Sequence, residues 1–195
     1  MADVLTLLIL LFDAIVSVWN AYASGYNIGL LKKDYGGGFT RVASYAGLGL
    51  AFAGMVYVLV VVLSFLAYFF DYVTEDTVTY ALSLNFLVFG ALIIGFGLVI
   101  TIQSVIIASQ RRNFWSILTA LYNGFAEILD IASYISGFKE AVQATSSDKR
   151  GSGNALVIIL VAVLIGFFII YGAFRQGYNK GMREAGYRSG RPDWS

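Results

Sequence analysis

Cysteine and histidine are absent from this chain of 195 residues, and proline occurs once, at Pro192. Without thiolate or imidazole there are no disulfides, no Cys- or His-ligated zinc or haem, and no Cys–His or Ser–His nucleophile. Without an internal proline no helix carries a proline kink. Charge is scarce too. Only 13% of residues are Asp, Glu, Lys or Arg, against about 25% in a soluble domain. The net charge of +1 and the placement of the basic residues at the ends of apolar segments leave no surface for nucleic acid.

What replaces charge is hydrocarbon. Hydrophobic residues make up 58% of the chain, and mean hydropathy is +0.75. No charge occurs from Val42 to Phe70, nor from Thr77 to Ser109. Both runs exceed the roughly 20 residues that cross a bilayer as a helix. The fold class expected is all-α: a polytopic transmembrane bundle forming one membrane domain over residues 1–195, with the lipid bilayer as its first partner. Ala21-Tyr22-Ala23 imitates a signal-peptide cleavage site. The preceding stretch lacks Lys and Arg and carries Asp3 and Asp13, so it reads as a retained first span.

Spans are expected over about 4–31, 42–70, 77–109, 114–138 and 155–176, followed by a basic cytoplasmic tail over 177–195. Gln143–Asn154, containing SSDKRGSGN, reads as a flexible polar linker. The segment 114–138 is ambiguous, because Glu127 and Asp130 near its middle oppose insertion by roughly 2.5–3.5 kcal/mol each. The alternative to five spans is four, with this segment interfacial or re-entrant. Basic residues favour five. In that topology all of them except Lys139, Lys149 and Arg150 lie on one side, which the positive-inside rule makes cytoplasmic. The N-terminus is then outside and the C-terminus inside, in a plasma membrane. The Ile-, Val- and Tyr-rich, cysteine-free composition suits a prokaryotic source.

Two polar stripes interrupt the apolar segments. Asp13, Ser17, Asn20, Ser24 and Asn27 recur every three or four residues in the first span, and Asn123, Glu127, Asp130 and Tyr134 do so in the fourth. Each set falls on one helix face. An ionisable group at membrane depth usually turns to the bundle interior or to water. Asp13, Ser17, Asn20, Asn123, Glu127 and Asp130 are therefore the candidate polar path or ion site of a channel or carrier for a cation, proton or small polar solute. Thr101, Gln103 and Ser104 are candidate contributors from the third span. The competing reading is interhelical hydrogen bonding, worth only about 0.6 kcal/mol per bond, in a non-catalytic scaffold or assembly subunit of a larger complex. Asp13 and Asp130 could share a proton as an aspartate hydrolase requires. The flanking residues carry no signature of such a pair, so no enzyme and no cofactor are expected.

Small residues suggest where helices touch. Ala43/Gly47/Ala51, Ala91/Gly95 and Ala162/Gly166 have the spacing that lets backbones approach in lipid. The motif GYN-x-G occurs twice, at Gly25–Gly29 and Gly177–Gly181. Aligning the two copies superposes the ridges Ala21, Gly25, Gly29 and Ala173, Gly177, Gly181. Five-span topology makes their helices parallel. Both helices are expected to continue past the membrane surface, to about Leu31 and Ala185, and the ridges to meet each other, or those of a second copy in a homo-oligomer, with Asn27 and Asn179 hydrogen-bonded nearby.

Overall fold

The computed structural model describes residues 4–31, 38–147 and 152–189. All the regular structure among them is helical. Five helices follow in chain order: α1 (Val4–Leu31), α2 (Gly38–Phe69), α3 (Glu75–Arg111), α4 (Phe114–Ser147) and α5 (Ser152–Ser189). Four of them, α1, α2, α3 and α5, are long and apolar enough to cross a bilayer. The protein is thus a membrane-embedded, multi-pass helical bundle. α4 is long enough at 34 residues but falls short in hydropathy, as Glu127 and Asp130 dictate.

Short polar turns join the helices. α2 stops at Phe69, and Asp71 takes the left-handed conformation that closes the turn (φ 58°). Thr74 then caps α3 by accepting a hydrogen bond from the Thr77 amide, with Glu75 and Asp76 complementing the positive end of the helix dipole. α3 is α-helical over Glu75–Asn85 and Ala91–Arg111, with one π-helical turn at Phe86–Gly90. It ends at Arg111 with Arg112 as its left-handed C-cap, and the Asn113 side chain caps α4 by accepting from the Ser116 amide at 2.8 Å.

One boundary corrects the sequence reading and another bears it out. α4 continues to Ser147 and α5 begins at Ser152, so most of the expected linker is helical and only 148–151 lie outside the described residues. α5 runs on to Ser189, past the end of its apolar run, as the small-residue ridge reaching about Ala185 predicts; residues 190–195 lie outside the described set. Hydropathy marks where a helix leaves apolar surroundings and says little about where it stops.

α2 is the central helix. Its Ala53, Val56 and Val60 pack with Ala81 and Phe89 of α3 and Ala155 and Ala162 of α5. Its Ala51 and Met55 pack with Ala21 and Ile170. Large apolar side chains instead point outward, among them Leu11, Ile15, Leu121 and Phe168. Small residues inside and bulky ones outside is the arrangement expected where lipid solvates the surface.

The helices α1 and α5 interlock. A Cβ on Gly25 would strike the Phe174 carbonyl, and one on Gly177 would strike the Tyr22 carbonyl. Gly29 meets Tyr178 and Met182, and Gly181 meets Tyr26 and Leu30. The contacts are reciprocal, so the two motif copies face each other across a local two-fold relation. Ala21 is fully buried beside them, and Ala173 packs against the same cluster. Numbers rise together along α1 and α5, so the helices are parallel. Tyr26 closes the joint by donating a 2.5 Å hydrogen bond to Glu184. The expected bonds of Asn27 and Asn179 are missing among the described residues: both side chains are exposed, on the far side of the ridge.

α4 lies antiparallel along α3. Thr101 meets Asn123, Gly97 meets Glu127, Gly90 meets Tyr134 and Phe86 meets Gly137. Such a register returns the chain through the length of the bundle; a helix lying flat across its end could not make it. The antiparallel course of α4 and the parallel course of α1 and α5 are two views of one five-helix threading.

Candidate functional site

Between α1 and α4, over a floor made by α2 and α3, lies a cleft of about 470 Å³. The polar stripes form its walls. Asp13, Ser17 and Asn20 line it from α1; Asn123, Glu127, Asp130 and Tyr134 line it from α4. Every member of the candidate site is thereby brought to one cavity. Ser24 and Asn27 are not in the lining: Ser24 is buried against Gly47, and Asn27 is exposed elsewhere. α5 contributes nothing, because it packs on the opposite side of α2.

Glycines make room for the stripes. Gly54 and Gly47 in α2 receive Ser17 and Ser24: a Cβ there would lie 2.7 Å and 2.6 Å from the two hydroxyl oxygens. Gly97 and Gly90 in α3 do the same for the Glu127 carboxylate and the Tyr134 ring. Both glycine pairs are spaced by seven residues, two helical turns, matching Ser17/Ser24 and Glu127/Tyr134. Ala91 and Gly95 do not form the contact expected of them. Both are exposed, and nothing lies near Gly95. Gly47 meets the Ser24 side chain of α1 and Gly166 the Val56 side chain of α2, so both lie at helix contacts, though against side chains and not backbone.

Glu127 is the most deeply placed of the carboxylates. It is 6% exposed, and its Oε1 is buried with no hydrogen-bond partner. Asp13 and Asp130 are more open to the cleft. No Lys or Arg lines the cavity among the described residues. The acidic groups are staggered along it, and among the described residues no three His, Cys, Asp or Glu side chains come together to hold a metal ion. Of the candidate contributors from α3, Thr101 lines the cleft and donates to the Asn123 carbonyl at 3.3 Å. Gln103 and Ser104 do not line it, and Ser104 bonds its own helix at Thr101.

Residues that the stripes did not announce complete the site. Tyr57 of α2 lines the cleft, and its backbone carbonyl accepts from Asn85, which is 1% exposed. The π-helical turn follows directly, and its Leu87 carbonyl accepts from the Tyr134 hydroxyl at 3.0 Å. Such turns recur at functional sites. An asparagine in the middle of an apolar run was a signal available in the sequence.

Fold and cleft together define a class: a multi-pass helical membrane protein with a carboxylate-bearing cavity between its helices. No protein-family model, curated protein or solved structure matches the chain.

Proposed function

We propose that this is a small channel- or carrier-type protein that passes a cation, a proton or a small polar solute along the cleft between α1 and α4. One observation carries the reading. Polar faces from two separate helices line one cavity, and the deepest carboxylate in it, Glu127, has an unpartnered oxygen. Tyr134 bonds a carbonyl of α3, but the stripe of α1 and the stripe of α4 face each other across an open space. A scaffold role would draw on exposed glycine ridges, and those of α1 and α5 are filled within one protomer. The distribution of basic residues supports a plasma-membrane orientation with the N-terminus outside and the C-terminus in the cytoplasm.

The test is flux into liposomes containing the purified protein, followed with proton- and alkali-cation-sensitive dyes. Glu127→Gln and Asp13→Asn should each lower flux by about tenfold or more while expression and helicity persist, as expected of functional intramembrane charge. Unchanged flux with a modest loss of thermal stability would assign the stripes to helix joining. No flux from the wild type would turn the reading toward a scaffold subunit.

A further inference from the structure

The cleft has a floor and two walls but no fourth side. α1 packs on α2 and α4 packs on α3, while the backbones of α1 and α4 do not approach each other closely among the described residues. Asp13 and Asp130 are correspondingly exposed. So are the apolar side chains beside them, Phe12 on α1 and Ile128 and Leu129 on α4. In a bundle immersed in lipid, that open side faces acyl chains. A molecule dissolved in the bilayer has a sideways route to the carboxylates.

The lining sets the chemistry of that molecule. With no Lys or Arg lining the cavity among the described residues, a counter-charge for Asp13, Glu127 and Asp130 in their ionised form has to arrive with the ligand. A compact inorganic cation such as calcium wants six to eight oxygens converging on one point. The staggered acidic groups supply no such cluster among the described residues. Around them stand the rings of Tyr57, Tyr122, Tyr134 and Phe86. Aromatic faces attract weakly hydrated cations with apolar substituents. The volume of about 470 Å³ lies within the range of about 300–1,000 Å³ that encloses a drug-sized ligand.

We propose that the cleft binds an amphipathic organic cation, an ammonium or phosphonium centre on an apolar body, admitted from the bilayer through the gap between α1 and α4. This rests on the transport reading and adds to it the chemical class of the substrate and its route. The cationic centre sits among the carboxylates, the apolar body lies against the tyrosine rings, and Glu127 closes the inner end of the site.

The experiment is equilibrium binding of radiolabelled tetraphenylphosphonium to the full chain in lipid nanodiscs, measured separately from flux. Binding should be saturable, displaced by dodecyltrimethylammonium, and insensitive to equal concentrations of sodium or tetramethylammonium. Glu127→Gln should weaken it by about tenfold or more, as removal of one partner of a desolvated charge pair does. Glu127→Asp should restore part of the loss, and Ala126→Trp, a bulky ring in the α4 wall, should also weaken it. Should Glu127→Gln fail to fold, Asp130→Asn on the open rim gives the same reading. Binding unchanged in both neutralised variants, or absent from the wild type, overturns the proposal. No tetraphenylphosphonium binding alongside sodium or proton flux removes this substrate class and leaves transport standing. Binding without flux of any kind keeps the site and removes transport.

Discussion

Gly95 and Gly97 are two residues apart and have opposite roles. Two steps of a helix turn about 200°, so one faces outward while the other receives the Glu127 carboxylate. Ala at Gly95 meets nothing and removes the flexibility of a mid-helix glycine, so Gly95→Ala should raise stability by up to about 1 kcal/mol. Gly97→Ala drives a methyl group into the Glu127 carboxylate, which has to swing into the cleft. We expect Gly95→Ala to leave flux unchanged and Gly97→Ala to lower it several-fold. Equal behaviour of the two variants would dissociate Glu127 placement from function. The stripes containing Asp13 and Glu127 were legible in the sequence because helical spacing is a local property. Gly54, Gly90 and Gly97 were not, since a glycine's role depends on the side chain opposite, which comes from another helix.

Among the elements, the α1–α5 pair is joined most tightly. Four glycines approach backbone atoms of the partner helix, leaving no room for a Cβ. Leucine at such a position cannot be absorbed by a rotamer change. Overpacking costs roughly 1–3 kcal/mol per site or more, and about 2–4 °C accompanies each kcal/mol in a chain of this size. Gly25→Leu combined with Gly177→Leu should therefore lower the apparent melting temperature in detergent by roughly 10 °C, or prevent assembly. A double variant that melts like the wild type would show that the ridges are not what joins these helices. The repeated GYN-x-G made this joint readable in the sequence, as a contact within the chain or with a second copy, since two small-residue ridges of one register have few other uses in lipid. The small-residue ridge also carried α5 past residue 176, to about Ala185, whereas the length of α4 beyond residue 138 was not readable, because its last turns are polar and helical spacing carries no apolar marker there.

For the whole molecule, the parallel course of α1 and α5 means that the chain traverses the bundle an odd number of times. With α4 antiparallel to α3, five helices give five traversals, although hydropathy alone admits four. Single cysteines at Ser147 and Ser189, in a chain with no cysteine of its own, should then react with impermeant maleimide from opposite sides of the membrane. Labelling from the same side would sink the five-crossing topology and with it the depth assigned to Glu127 and Asp130.

The interlock of first and last helices also bears on how the protein is made. Synthesis proceeds at about 5–20 residues per second, so roughly 8–30 s separate the emergence of Gly29 from that of Gly181, its counterpart in the joint. Throughout that interval the ridge of α1 lies bare in the membrane, and every earlier helix must insert and pack without the contact that fastens the two ends. The finished bundle is in effect a clasp that shuts only once α5 has been made. A chain cut short before α5 would be left open along its first helix, with its glycines offered to any other helix nearby.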